Sequence, residues 1–127
     1  MNAYQVACKG LADSIDGALL CGVIEIASNK LLALYSTEGN SAEFESSFVA
    51  SCQELLRGPN KQLFGQGSQG SAYAEVQVAS AHTCHIAKTL ADGTRAIVLV
   101  VRKDTNVGLG WAEVKVTAAA LERVEAA

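Results

Sequence analysis

The segment from Ala96 to Val101 is an unbroken apolar run, Ala-Ile-Val-Leu-Val-Val, between Arg95 and Arg102. Its short length, its β-branched residues and the charges at both ends predict a β-strand. A strand with one face in water would alternate polar and apolar residues, so both faces of this strand are expected to be buried. Asp92-Gly93, just upstream, is typical of a tight hairpin turn. We therefore expect this strand at the centre of a sheet.

Three helices and four further strands are predicted around this central strand. The helices are expected at Tyr4 to Ile15, from Asn40 or Ser41 to Leu56 before Gly58-Pro59, and at Leu109 to Glu125, which lacks a clear N-cap unless Asn106 supplies it. The strands are expected at Ala18 to Ala27, Leu31 to Ser36, Ala72 to Ser80 and Thr83 to Leu90. The order α-β-β-α-β-β-β-α, without a long crossover, predicts an α+β fold in which helices cover both faces of an antiparallel sheet. The length of 127 residues and the absence of an internal repeat predict a single domain over residues 1–127, with Asn60 to Ser71 as the only linker-like stretch.

Composition and charge exclude several classes of protein. Half of the residues are hydrophobic, which is enough for a folded core and argues against disorder. The net charge of -3 and the scattered basic residues argue against nucleic-acid binding, which needs a dense basic patch. No apolar stretch approaches the roughly 18 residues that span a bilayer, and the N-terminus lacks the pattern of a signal peptide. We expect a cytoplasmic protein that does not insert into membranes.

The four cysteines and two histidines offer the main alternative chemistry. The cysteines are widely spaced with no C-x-x-C pair, which favours buried free thiols in a reducing compartment; they are Cys8, Cys21, Cys52 and Cys84. His82, Cys84 and His85 lie together, but a zinc site needs three or four converging ligands. Neighbouring side chains of a strand point to opposite faces, so Cys84 and His85 are not expected to share a site. Binding of a metal or small ligand through these residues is kept as the alternative function.

Two other patterns resemble functional motifs without the required context. Gly65 to Gly70 matches G-x-G-x-x-G, but a dinucleotide site places those glycines between a strand and a following helix. Here they follow a helix and precede a strand, so a loop is expected. Asp13 and Asp16 would be neighbours on a helix and are interpreted as acidic surface. We expect no catalytic residue, no metal site and no cofactor, and hence no enzyme.

The margin of the predicted sheet indicates an interaction surface. The strand from Ala72 to Ser80 is expected at one edge, where unpaired backbone groups favour pairing with another copy. A two-fold homodimer would then join strand to strand and helix to helix. The predicted interface residues are Phe44, Phe48, Cys52, Ala74, Val76 and Val78. In the other interpretation, the helix residues only cover their own sheet.

The element order, the Asp92-Gly93 hairpin, the strand Ala96 to Val101 and the helix start Asn106-Val107-Gly108 resemble the roadblock / dynein light chain domain. The resemblance extends from about Leu11 to Val124. It implies a profilin-like sheet of order 2-1-5-4-3 and a homodimer formed by the third strand and second helix. Members of this family are non-enzymatic regulators or scaffolds of small Ras-like GTPases and bind no nucleotide themselves, so the leading hypothesis is such a module, of the bacterial type. A purely structural dimer within a larger assembly is a further alternative.

Overall fold

The computed structural model describes residues 2–39, 41–56, 75–91 and 93–126. Its elements are α1 (Ala3–Asp13), β1 (Ala18–Glu25), β2 (Lys30–Ser36), a 3-10 turn (Ser41–Phe44), α2 (Glu45–Leu56), β3 (Glu75–Ala79), β4 (Thr83–Thr89), β5 (Arg95–Arg102) and α3 (Val107–Ala126). This order confirms the α-β-β-α-β-β-β-α prediction.

The five strands form one sheet of order β2-β1-β5-β4-β3, and every neighbouring pair is antiparallel. β5 lies at the centre, as its apolar run predicts. Its alternate side chains enter two separate cores, with Ile97, Leu99 and Val101 on one face of the sheet. Ala96, Val98 and Val100 lie on the other face. Burial on both faces therefore follows from the position of the strand.

Helices cover both faces of the sheet. α1 and α3 pack on the first face, where α3 contributes Val114, Ala118 and Leu121 to the core. α2 packs on the second face through Phe48, Cys52 and Leu56. The apolar spacing of each helix thus predicts the face that it buries.

Asparagine side chains fix the starts of two helices. The Asn106 Oδ1 accepts a hydrogen bond from the Leu109 backbone N at 3.1 Å, so Asn106 does supply the N-cap that the sequence left open. α3 begins at Val107, two residues before the predicted start at Leu109. The Asn2 Oδ1 accepts from the Gln5 backbone N at 2.8 Å, a cap that the sequence analysis missed. Of the two caps considered for the middle helix, Asn40 lies outside the described residues, and Ser41 begins the 3-10 turn that precedes α2.

Two turns depend on left-handed backbone conformations. Gly17 has φ +100 just after α1, and Gly93 has φ +75 in the β4–β5 hairpin. That hairpin closes where the Leu90 backbone N donates to the Arg95 O at 2.8 Å, although Asp92 lies outside the described residues. Also outside them are residues 72–74 of the predicted third strand, Gly58-Pro59 and the Gly65 to Gly70 motif. Within the described segments, no helix combines the length and apolar content that crossing a membrane requires.

Candidate functional site

β3 forms one edge of the sheet. The Ser80 backbone N donates to the Thr83 O at 2.8 Å, which makes these residues a hydrogen-bonded pair at the end of the β3–β4 hairpin. Hydrogen-bonded and non-hydrogen-bonded pairs alternate along an antiparallel ladder. The backbone groups of Glu75, Gln77 and Ala79 therefore point away from β4, toward the open side of the sheet.

β2 forms the other edge, but side chains of α1 cover its backbone. The Gln5 Nε2 donates to the Leu34 O at 3.1 Å, and the Asn2 Nδ2 donates to the Leu32 O at 3.5 Å. These contacts occupy carbonyl groups that a further strand would need. Among the described residues, no side chain covers the backbone of β3 in this way, so the two edges differ in their readiness to pair.

The side chains of β3 separate the two faces at this edge. Val76 packs against the core beneath α2. Val78 lies two residues further along the strand, so it is on the same face, and 46% of its surface is exposed. Gln77 lies on the opposite face, where its Oε1 accepts a hydrogen bond from the Trp111 Nε1. An exposed valine on an open edge strand is a feature of a pairing surface.

The predicted interface residues of α2 lie deeper than those of β3. Phe48 is 3% exposed and Cys52 1% exposed, because both pack against the sheet of their own chain. Phe44 is half-buried at the end of the 3-10 turn, and Ala74 lies outside the described residues. The assignment of these residues to a dimer interface stays a prediction. Phe48 and Cys52 could contribute to it only by holding α2 in place.

A cavity of about 320 Å³ lies between α2 and the sheet, and we call it the α2 cavity. Val98 and Val100 of β5 line it on the sheet side, together with half-buried Leu19 and Leu20 of β1. Phe48 and Cys52 line it on the helix side, together with Phe44, Ser47 and Ser51. Polar side chains complete the lining, namely Ser36, Glu38, Thr83 and His85.

Burial keeps two ionisable groups of the α2 cavity neutral. It raises the pKa of the Cys52 thiol to about 12 and lowers the pKa of the His85 imidazole below its usual range. His85 is half-buried, and its Nε2 lies 3.1 Å from the Thr83 Oγ1, with either group able to donate. At neutral pH, Glu38 is therefore the only residue of the described lining that carries a charge.

The structure separates the residues of the His82 to His85 cluster. Cys84 is buried in the core on the α1 and α3 face, whereas His85 lines the α2 cavity on the other face. His82 is exposed in the turn before β4. In the part of the chain that is described, no three histidine, cysteine or acidic side chains are grouped closely enough to hold a metal ion.

All four cysteines are free and buried, as predicted. A hydrogen bond with Cys8 and burial both raise the pKa of the Cys21 thiol, and burial alone raises that of Cys84. The pKa values of Cys21, Cys52 and Cys84 thus favour the protonated, unreactive form, because the thiolate is the nucleophile. The cysteines are packing residues in this fold.

The sequence analysis missed the α2 cavity, although one signal for part of its lining was present. Residues two apart on a strand share a face, so the spacing of Val98 with Val100, and of Thr83 with His85, indicates that each pair faces one layer. The contribution of Glu38 and Ser36 depends on the path of the chain after β2, for which the sequence gives no pattern.

Comparisons with known proteins agree with this architecture. No protein-family model matches the chain, and no curated protein matches its sequence. In structure, it is similar to the Roadblock/LC7 domain from Streptomyces avermitilis, with a TM-score of 0.75 and 11% identity over 97% of this chain and 98% of that one. The chain has the fold of the roadblock domain. MglB from Myxococcus xanthus is similar too, with a TM-score of 0.72 and 12% identity over 98% of this chain and 95% of that one.

The relation extends to the profilin-like architecture. Profilin from Schizosaccharomyces pombe gives a TM-score of 0.58 and 14% identity over 95% of this chain and 98% of that one. The roadblock-type and profilin-like predictions of the fold are thus confirmed, including the sheet order. At these identities the similarity concerns the fold alone.

Proposed function

We propose that this protein is a non-catalytic, homodimeric interaction module that regulates or scaffolds a small Ras-like GTPase. The observation that carries the proposal is the open β3 edge beside α2, in a chain with the roadblock fold. Regulation or scaffolding of small GTPases is what the roadblock resemblance implies, and the likeness to MglB supports a regulator of the bacterial type.

A two-fold axis near Gln77 gives the simplest pairing of two β3 strands. Gln77 then lies opposite Gln77 of the second copy, and Glu75 lies opposite Ala79 of the second copy. In this register, all outward backbone groups of β3 form hydrogen bonds across the axis. No like charges are opposed in this register. The dimer would extend two five-stranded sheets into one of ten strands.

The same register brings the valines of β3 together. Val76 of each copy faces Val78 of the other in a non-hydrogen-bonded pair, where Cα atoms are about 4.5 Å apart. This contact covers the surface of Val78 that one chain leaves exposed. Because α2 contacts β3 on that face, the two α2 helices come close to each other across the axis. The paired helices would offer the GTPase a surface that a single chain lacks.

Sedimentation equilibrium tests the dimer. The wild-type protein is expected to have the mass of a dimer, and Val78→Lys that of a monomer, because a lysine on an edge strand opposes pairing. Val116→Lys is the matched control, since Val116 is 64% exposed on α3, which packs on the face of the sheet opposite to that of Val78. Circular dichroism should show that both variants are folded. A monomeric wild type, or a dimeric Val78→Lys, would refute this interface.

Calorimetric titration with a purified Ras-like GTPase from the same genome tests the partner. We expect binding that differs between the GTP-analogue and GDP forms and that is lost in Val78→Lys. The control variant Val116→Lys should bind like the wild type. A stable dimer that binds neither form of any such GTPase would instead favour the purely structural alternative.

A further inference from the structure

The α2 cavity has the size and lining of a small-molecule site. Such sites have volumes of roughly 300 to 1,000 Å³ and apolar walls with a few polar groups that orient the ligand. The α2 cavity, at about 320 Å³, lies at the lower end of this range. We infer that it binds a small apolar molecule with an uncharged or cationic polar end.

The apolar walls define the body of the ligand. Leu19, Leu20 and Phe44 of the lining are only half-buried, so they keep apolar surface in the cavity that water can reach. A ligand that covers them gains about 25 cal/mol for each Å² of apolar surface removed from water. At about 30 Å³ per water molecule, the volume equals roughly ten waters, which fits a ligand with about ten non-hydrogen atoms.

The polar lining defines the other end of the ligand. Ser36, Ser51 and the Thr83–His85 pair offer hydroxyl and imidazole groups, which donate or accept hydrogen bonds. Glu38 supplies the one charge in the described lining, since the Cys52 thiol and the His85 imidazole are neutral at pH 7. A carboxylate ligand would meet this like charge, and the described lining contains no cation to offset it. An alcohol or an ammonium group would not.

This site lies within one chain and does not depend on the proposed homodimer. His85 is, however, paired directly opposite Val78, so the α2 cavity adjoins the predicted interface. A second copy that closed over the cavity is therefore the main competing occupant. The experiment has to separate a ligand site from an interface cavity.

The test is a set of titrations of the isotope-labelled protein, monitored by its amide NMR shifts. The probes are octylammonium, 1-octanol and octanoate, which share one tail and differ only in the charge of the polar end. We expect saturable shifts at Val98, Val100 and His85 with octylammonium and octanol. Octanoate should bind about fivefold more weakly than octanol, as expected for one like charge near the surface.

Two variants test the assignment of tail and polar end. Ser51→Leu places a larger side chain in the cavity and should weaken octanol binding about tenfold, because less of the tail is buried. Ser46→Leu is the matched control, since Ser46 is exposed on α2 and does not line the cavity. Glu38→Gln should remove the difference between octanoate and octanol.

Three results would overturn the inference. The first is the absence of shifts at lining residues with all three probes. The second is a mismatch with the assigned tail or polar end. Either octanol binds Ser51→Leu as tightly as the wild type, or octanoate binds the wild type as tightly as octanol does. The third is octanol binding to the monomeric Val78→Lys variant but not to the wild-type dimer, which would assign the cavity to the subunit interface and leave the proposed function intact.

Discussion

Gly22 of β1 lies directly beneath the Phe48 ring, and replacing it with alanine tests how α2 is held on the sheet. A Cβ at this position would lie 2.6 Å from Cε2 and Cζ of Phe48 and 3.0 Å from the Ala33 carbonyl oxygen. Phe48 is 3% exposed and lines the α2 cavity, so that cavity is the space into which its ring could turn. The Gly22→Ala variant should therefore displace the Phe48 ring, either into the α2 cavity or together with α2 away from the sheet.

The expected loss can be worked out from two opposing effects. Alanine in a strand gains about 0.5–1 kcal/mol over glycine, because it loses less backbone entropy on folding. Overpacking of a core costs about 1–3 kcal/mol. We expect a net loss of about 1–2 kcal/mol. The unfolding entropy is about 2.1 cal/mol/K per residue, so for 127 residues a loss of 1 kcal/mol in stability lowers Tm by about 4 °C. The Tm of Gly22→Ala should therefore fall by about 4–8 °C.

Thermal unfolding followed by circular dichroism measures this loss. Gly10→Ala is the matched control, because a Cβ at Gly10 in α1 meets nothing within 4 Å. It should raise Tm by about 2–4 °C, the effect of removing a helical glycine. In a Phe48→Leu background, Gly22→Ala should lose most of its cost, since the clashing ring is gone. The reasoning fails if Gly22→Ala raises Tm as Gly10→Ala does, or if its cost persists in that background.

Three further predictions concern the glycine turns, His85 and the α3 cap. Gly17→Ala should cost about 2–4 kcal/mol of stability in the same unfolding assay, because φ is +100 and its Cβ would lie 2.1 Å from a threonine Oγ1. Gly93→Ala should cost only about 1–2 kcal/mol, because φ is +75 but its Cβ would meet no atom within 4 Å. The pKa of His85 is lower in the folded protein than in the unfolded chain, so below about pH 6.5 the unfolded chain binds more protons than the folded protein. The free energy of unfolding should therefore decrease as the pH falls below about 6.5. Tm should fall less on acidification in His85→Gln than in the wild type or the exposed His82→Gln control. Asn106→Ala should cost about 0.5–2 kcal/mol in denaturant unfolding through loss of the α3 cap, and Asn106→Ser much less.

The central strand and the buried faces of the helices could be predicted because each follows from the spacing of apolar residues within one short segment of the sequence. The run from Ala96 to Val101 has no polar residue to place in water, so only a central position satisfies it. The Asn106 cap is likewise local, since the donor lies three residues along the chain.

The candidate site could be predicted only in part, because it depends on which elements meet. The apolar stripe of Phe44, Phe48 and Cys52 has the same spacing whether it covers its own sheet or a second copy. The structure places Phe48 and Cys52 against their own sheet. The α2 cavity arises where α2, β4, β5 and the residue Glu38 converge, and no spacing along the sequence encodes that convergence.

The difference between the two sheet edges leads to a last prediction. Gln5 and Asn2 donate to carbonyl oxygens of β2, so this edge should resist pairing for as long as these donors are present. The double variant Asn2→Ser/Gln5→Glu removes both side-chain amide donors. It keeps the N-cap of α1, because serine and asparagine are about equally good N-cap residues. The test uses the Val78→Lys background, in which the β3 edge is blocked.

In that background, the double variant should show concentration-dependent association by sedimentation, and Val78→Lys alone should stay monomeric. The matched control is Asn2→Ser alone, in which Gln5 still covers the Leu34 carbonyl oxygen. If the double variant also stays monomeric, the α1 side chains are not what protects β2. The choice of β3 as the pairing edge would then need another cause, such as the shape of the surface around α2.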